Sequence, residues 1–177
     1  MRRRLIVTVL GLLSAAPALA LDMPARKPGL WELKMNFEGR NLPATAMKHC
    51  VDAATDKLMN SSFGGSAQEA CSKQDMTKSG SIITVDSVCK FSDATTTSHA
   101  VVTGSFDSAY KVDVRSTREG GLPLPGQAPG AATHMTIDAK WLGPCAAGQH
   151  PGDIIISNGM TMNVLDMPKF GVAPKRP

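Results

Sequence analysis

Three stretches of this chain alternate apolar and polar residues with a strict period of two, and that pattern limits the fold more than anything else in the sequence. The first places Trp31, Leu33, Met35 and Phe37 on one side and Glu32, Lys34 and Asn36 on the other. In the second, Tyr110, Val112 and Val114 alternate with Lys111, Asp113 and Arg115. In the third, Thr133, Met135, Ile137, Ala139 and Trp141 oppose His134, Thr136, Asp138 and Lys140. Side chains along a strand point to opposite faces in turn, so this alternation belongs to strands with one face on a core and one in water.

Weaker strand signals fill the rest. Residues 45–51 put Met47, His49 and Val51 in one phase and Ala46, Lys48 and Cys50 in the other. Residues 71–77 and 82–90 read as a hairpin around Ser79-Gly80-Ser81, and a Thr-rich strand follows over 95–106. Asn158-Gly159, between Ile154-Ile155-Ile156 and 160–164, is a strong two-residue hairpin signal. Asp52 predicts the N-cap of one short helix over 52–60, because its carboxylate accepts from the first free N–H groups. Residues 61–67 and the Gly/Pro-rich 118–130 read as loops, and 169–177 as a loose tail. Seven to nine strands in sequential hairpins predict a single antiparallel up-and-down meander. Such a sheet must curl to bury its apolar side, giving a lipocalin-like barrel or half-barrel, with a two-sheet sandwich as the alternative.

Residues 1–20 have the layout of a secretory signal peptide: Arg2, Arg3 and Arg4, an apolar run over 5–13, then Ala18-Leu19-Ala20. The run is too short for a permanent span. The expectation is export to a periplasm, with 21–177 as one β domain and no integral membrane segment once the signal is removed. Three of the 19 Lys and Arg sit in this leader, leaving 16 against 15 Asp and Glu. The pI near 9.0 is therefore largely a leader effect. The remaining basic residues are scattered, which excludes a nucleic-acid footprint.

All four cysteines, Cys50, Cys71, Cys89 and Cys145, follow the leader. An even count in an exported chain reads as disulfides, for which three connectivities exist. If the first hairpin has a three-residue loop, Lys78 faces Ile82 and counting outward pairs Cys71 with Cys89; a one-residue slip would spoil this. Cys50 and Cys145 are then left to each other, closing a loop worth about 4–5 kcal/mol in the chain-entropy account.

Candidates for chemistry are few. His99 and His134 fall on polar phases and His150 in a loop, so all three read as solvated. His49 shares a phase with apolar neighbours, which fits either a hydrogen-bonded core histidine or a group in a barrel interior. Met160, Met162, Met135 and His49 are the residues a copper(I) site would draw on, against the ordinary use of Met as a core gap-filler. There is no Ser-His-Asp order, no H-E-x-x-H and no phosphate loop. The chain reads as non-enzymatic and without cofactor.

Lys27-Pro28-Gly29-Leu30-Trp31-Glu32, the four spaced cysteines with a helical segment after the first, and Leu142-Gly143-Pro144-Cys145 before Pro151-Gly152-Asp153 form a recognisable combination. It resembles the bacterial exported family catalogued as domain of unknown function 3617, across about 27–167. The resemblance implies a periplasmic or secreted protein of a Gram-negative cell, and no activity or catalytic residue. The leading expectation is a binding protein for a hydrophobic or amphipathic ligand, whose face comprises Trp31, Met35, His49, Val112, Met135 and Trp141. An interaction module of the envelope, using loop 118–130 or a strand edge to bind an envelope protein, is the alternative, and copper binding is a weaker third.

Overall fold

A computed structural model describes residues 23–38, 44–121 and 130–166, with 61–69 of the helix described as backbone only. Among the described residues nine strands and one helix follow one another: β1 (Gly29–Glu38), β2 (Thr45–Val51), α1 (Ala53–Ala70), β3 (Cys71–Ser79), β4 (Ile82–Phe91), β5 (Ala94–Ser105), β6 (Ala109–Gly120), β7 (Thr133–Gly143), β8 (Asp153–Ile156) and β9 (Thr161–Asn163). All nine strands form one sheet in the order β3-β4-β5-β6-β7-β1-β2-β8-β9, and every pairing is antiparallel. The order is that of a seven-strand meander joined through β7 and β1 but opened between β2 and β3. There α1 stands in for a hairpin, and β8-β9 extends the free side of β2. The sheet is thus a half-barrel with β3 and β9 at its edges, and the fully closed barrel does not form.

The crossover shows how strongly the sheet coils. Val51 lies in the row of Gly29, and Cys71 in the row of Cys89, Thr96 and Arg118. Those rows are separated by eight residues along β1 (Gly29 to Phe37) and four along β6 (Val114 to Arg118), across six strand steps. On a flat sheet the two points would stand about 40 Å apart along the strands and about 29 Å across them. An α-helix of 18 residues reaches only about 27 Å. The right-handed twist of successive strands must bring the two corners together.

The helix begins where Asp52 predicts. Its carboxylate accepts from the Thr55 N–H at 2.8 Å while the Thr55 hydroxyl oxygen accepts from the Asp52 N–H at 3.0 Å, a reciprocal cap. The Thr55 N–H, with the Thr55 hydroxyl also donating to the carboxylate at 2.8 Å, holds the Asp52 carboxyl below the usual range. The helix does not stop near residue 60: it continues to Ala70, through the Ser/Gly-rich stretch expected to be loop, because it has to deliver the chain to β3.

The first hairpin also differs in detail. Its loop has two residues, so Lys78 pairs with Ile83 and Ser79 with Ile82, one residue away from expectation. A bulge between Cys71 and Lys73 absorbs the slip and restores the Cys71–Cys89 pair. Both expected disulfides form, Cys71–Cys89 within this hairpin and Cys50–Cys145 between β2 and the segment after β7. The leader, most of loop 118–130 and the tail 169–177 lie outside the described residues. The core gathers at one end of the sheet: Trp31, Val51, Met59, Ala139, Ile154 and Val164 are buried together, with Leu33, Met47, Tyr110 and Trp141 packed on them.

Candidate functional site

Strand register sorts the inner face, the side that carries the core, into rows. At one end Trp141, Trp31, His49, Ile154 and Met162 lie side by side across five strands. Next come Tyr110, Ala139, Leu33 and Met47. The row Ile83, Val102, Val112, Ile137 and Met35 follows, then Met76, Val85, Ala100, Val114, Met135 and Phe37. Beyond them the chemistry changes abruptly, to Gln74, Ser87, Ser98, Ser116 and Thr133, and then to Thr96 and Arg118.

The Trp31 end is sealed. Gly29 has φ +131°, and a side chain there would run into the Gly143 carbonyl and the Trp141 indole, so only glycine lets β1 start so close to β7. The segment before it threads between the two indoles. Trp31 Nε1–H donates to the Lys27 carbonyl at 2.8 Å, and Trp141 Nε1–H donates to the Pro28 carbonyl at 3.1 Å. The Lys27 ammonium sits 3.8 Å over the Trp141 ring. Arg26 then turns inward onto the helix. Its Nε–H donates to Asp56 Oδ1 at 2.6 Å and its backbone N–H to Oδ2 at 2.8 Å, with both side chains buried. Tyr110 lies 5.5 Å from Trp31, ring centre to ring centre, and its phenol is pushed up by burial.

His49 is buried in this sealed end, 5 % exposed, and neither ring nitrogen has a hydrogen-bond partner. It is a core histidine, but not a hydrogen-bonded one. Burial and, secondarily, the charge of Arg26 hold its pKa at about 4, so the imidazole is neutral at pH 7.

The middle of the same face is open. On β4 and β5 the residues Ile83 and Val102 are buried, but Met35, Phe37, Val85, Val112, Val114, Met135 and Ile137 are half-buried although they continue the rows of the core without a break. The six expected ligand-face residues therefore divide. All share the inner face, but Trp31 and His49 are buried at the sealed end, Trp141 is half-buried beside Lys27, and Met35, Val112 and Met135 line the open trough.

The candidate copper residues are not brought together. Met160 is exposed in the last turn, Met162 packs against the core, and Met135 on β7 lies four strand positions from β9. Among the described residues, no three His, Cys, Asp or Glu side chains cluster as metal ligands do.

The outer face is polar and paired. Glu32 and Lys140 are cross-strand neighbours, as are Lys34 and Asp138, and Lys34 Nζ lies 3.1 Å from the Glu32 carboxylate. These charges line a depression of about 440 Å³. Further along, His134 is held between two carboxylates, with Nδ1 2.6 Å from Glu38 and Nε2 2.8 Å from Asp113. Only the imidazolium donates from both nitrogens. Its pKa is raised, first by Asp113 and then by Glu38, and the same bond lowers that of Asp113.

Sequence reasoning placed His134 on the polar face but missed its two partners, which a phase pattern does not reveal. It also missed Arg26 and Asp56, which lie outside any alternating run. Asp56 in the first turn of a capped helix was the one available signal, since acidic residues favour that position.

Residues 26–145 match the sequence model of a family described as "Protein of unknown function (DUF3617)". The chain belongs to that family. Within this DUF3617 protein the match starts at Arg26 and ends at Cys145, so it holds the buried ion pair, the trough and both disulfides, while β8 and β9 lie beyond it. No curated protein and no solved structure matches the chain.

Proposed function

We propose that this DUF3617 protein is a non-enzymatic binding protein that takes up a hydrophobic or amphipathic ligand in the open half of its half-barrel. One observation carries the reading: in the apolar rows through Val112 and Met135, Ile83 and Val102 are buried but Met35, Val112, Ile137, Val114 and Met135 continue the core and remain half-buried, so the hydrophobic surface on β1, β6 and β7 is only partly used in folding. Apolar concave surfaces with a few polar groups are the usual setting for small-molecule sites. The sealed end provides a fixed wall against which such a ligand would stop.

The two disulfides are consistent with an oxidising compartment. Together with the leader-like residues 1–20 they support export to the periplasm, with the leader removed. No described helix is long and apolar enough to cross a membrane.

The test is native mass spectrometry of gently purified protein, with organic extraction of whatever is bound, followed by thermal-shift measurements against a lipid panel. A ligand-derived mass difference and a raised melting temperature are expected. Protein that is recovered empty and does not respond to any lipid would overturn the reading.

A second reading, an envelope interaction module, draws on β3, a nine-residue edge strand that is mostly exposed. Lys73, Asp75 and Lys78 stand along it, and charges of this kind blunt an edge against added strands. In-cell crosslinking that captures a partner through β3 and not through the trough would favour it.

A further inference from the structure

The polarity of the inner face is graded along the strands, and the gradient ends on a cation. From Tyr110 to Val114 on β6 the inward side chains are apolar for about 14 Å, at ~3.4 Å per residue. Two residues further, Ser87, Ser98, Ser116 and Thr133 make one hydroxyl row across four strands. Ser116 Oγ and Thr133 Oγ1 already share a hydrogen bond at 2.7 Å, whereas Ser87 and Ser98 keep theirs unspent among the described residues. Two residues beyond stands Arg118, on the same face and half-buried, its guanidinium lying against Gly121. The Arg118 Nε–H is buried without a hydrogen-bond partner, and no described carboxylate pairs with the guanidinium.

An unpaired guanidinium at the end of an apolar trough is costly to keep and has a specific complement. We propose that Arg118 is the head-group anchor of the trough, and that its ligand is a long-chain carboxylate: hydrocarbon along Tyr110, Val112 and Val114, carboxylate on the Arg118 fork, with Ser98 beside it as a second donor. One cation matches one negative charge, and the planar fork suits a carboxylate bidentately. The inference rests on the binding reading above and adds the charge and end-to-end direction of the ligand.

The experiment compares palmitate with methyl palmitate, each titrated into the mature wild-type protein by calorimetry below its aggregation concentration, and repeats both with R118Q and R118K. The wild type is expected to prefer the carboxylate over the ester by about 10- to 100-fold, the usual worth of a charge-assisted contact. R118Q should erase that preference by lowering the palmitate affinity toward that of the ester, and R118K should keep part of it. Equal affinity of the wild type for acid and ester overturns the proposal while leaving the binding reading standing, as does an unaltered palmitate affinity in R118Q. If neither compound binds the wild type, the proposal falls together with the reading it rests on. The acid–ester comparison needs no substitution, so it decides the matter whatever the stability of R118Q.

Discussion

The two ends of the inner face are made from the same strands in the same phase, yet one is sealed and the other is open. At the sealed end, Arg26 and the first turns of α1 cover Trp31, and a buried ion pair ties cover to cover. In the trough, four residues further along β1 at Met35 and in the following rows at Val112 and Met135, the side chains have apolar neighbours and remain half-exposed. Apolar alternation therefore marks which face turns inward, not which part of it is packed. What separates core from candidate site is the cover, and the cover comes from chain segments with no alternation at all.

The strongest way to break this contrast is to damage the seal. Asp56→Ala should cost about 3–5 kcal/mol, because it leaves the Arg26 charge buried without a partner. Trp31→Ala should cost a similar amount through cavity formation, ~3–5 kcal/mol. Urea denaturation midpoints measure both, and losses below about 1 kcal/mol would show that the seal is not a core.

A pH titration sharpens it next. His49 has a pKa of about 4 in the fold and about 6.5 when unfolded, so the unfolded chain alone takes up a proton between these values. Its contribution is complete above pH 6.5 and falls as the pH drops toward 4, by roughly 3 kcal/mol in all. His49→Phe should flatten the acid limb of the stability curve over that window; an unchanged slope would mean that the acid sensitivity arises elsewhere.

In the trough the expected signs separate stability from binding. Val112→Asp should change the urea midpoint little, by about 1 kcal/mol or less, while abolishing uptake of any lipid that shifts the wild-type melting temperature. A collapse of stability in this variant would place Val112 in the core instead.

The smallest effect is expected outside. His134 has a raised pKa, so its pairing with Asp113 and Glu38 stabilises the fold below the unfolded value of about 6.5 and is lost as pH rises through the folded one. His134→Gln should therefore show its small deficit in melting temperature only on the acid side, the reverse of the His49 dependence. A deficit that grows with pH would refute the carboxylate clamp.

Much of the fold was legible in the sequence, for identifiable reasons. The phases of β1, β6 and β7 follow from half-buried strands, whose alternation is written in Trp31 to Phe37, Tyr110 to Arg115 and Thr133 to Trp141. The last hairpin followed from Asn158-Gly159, and the Cys71–Cys89 pairing from counting, although the count succeeded only because a bulge at Ser72 cancelled a one-residue error in the loop. The sequential pairings of β1 with β2 and of β3 through β7 followed from the hairpin signals, but the joining of β1 to β7 was not legible, because hairpin signals are local and nothing near Trp31 says that β1 will lie beside β7. Helix length was hidden by Ser61-Ser62 and Gly64-Gly65, residues of poor helix propensity held helical by the crossover they must complete. The inner-face residues were found as a set, but the seal was not, since Arg26–Asp56 joins positions 30 apart with no periodic signature.

The opening between β2 and β3 also sets an order of assembly. Strands β3 to β7 each pair with their neighbour in sequence, so that meander can form by short loop closures. β1 must find β7 across roughly a hundred residues, a slower search that leaves the indole of Trp141 and the side chains of Met135 and Ile137 without their β1 partners until it ends. The local bridge Cys71–Cys89, 18 residues apart, belongs to the early unit. Cys50–Cys145, 95 residues apart, can close only once the β1-β2 hairpin has arrived. Oxidation of that second pair acts as a latch on the last step, and a chain caught before it would expose its stickiest surface.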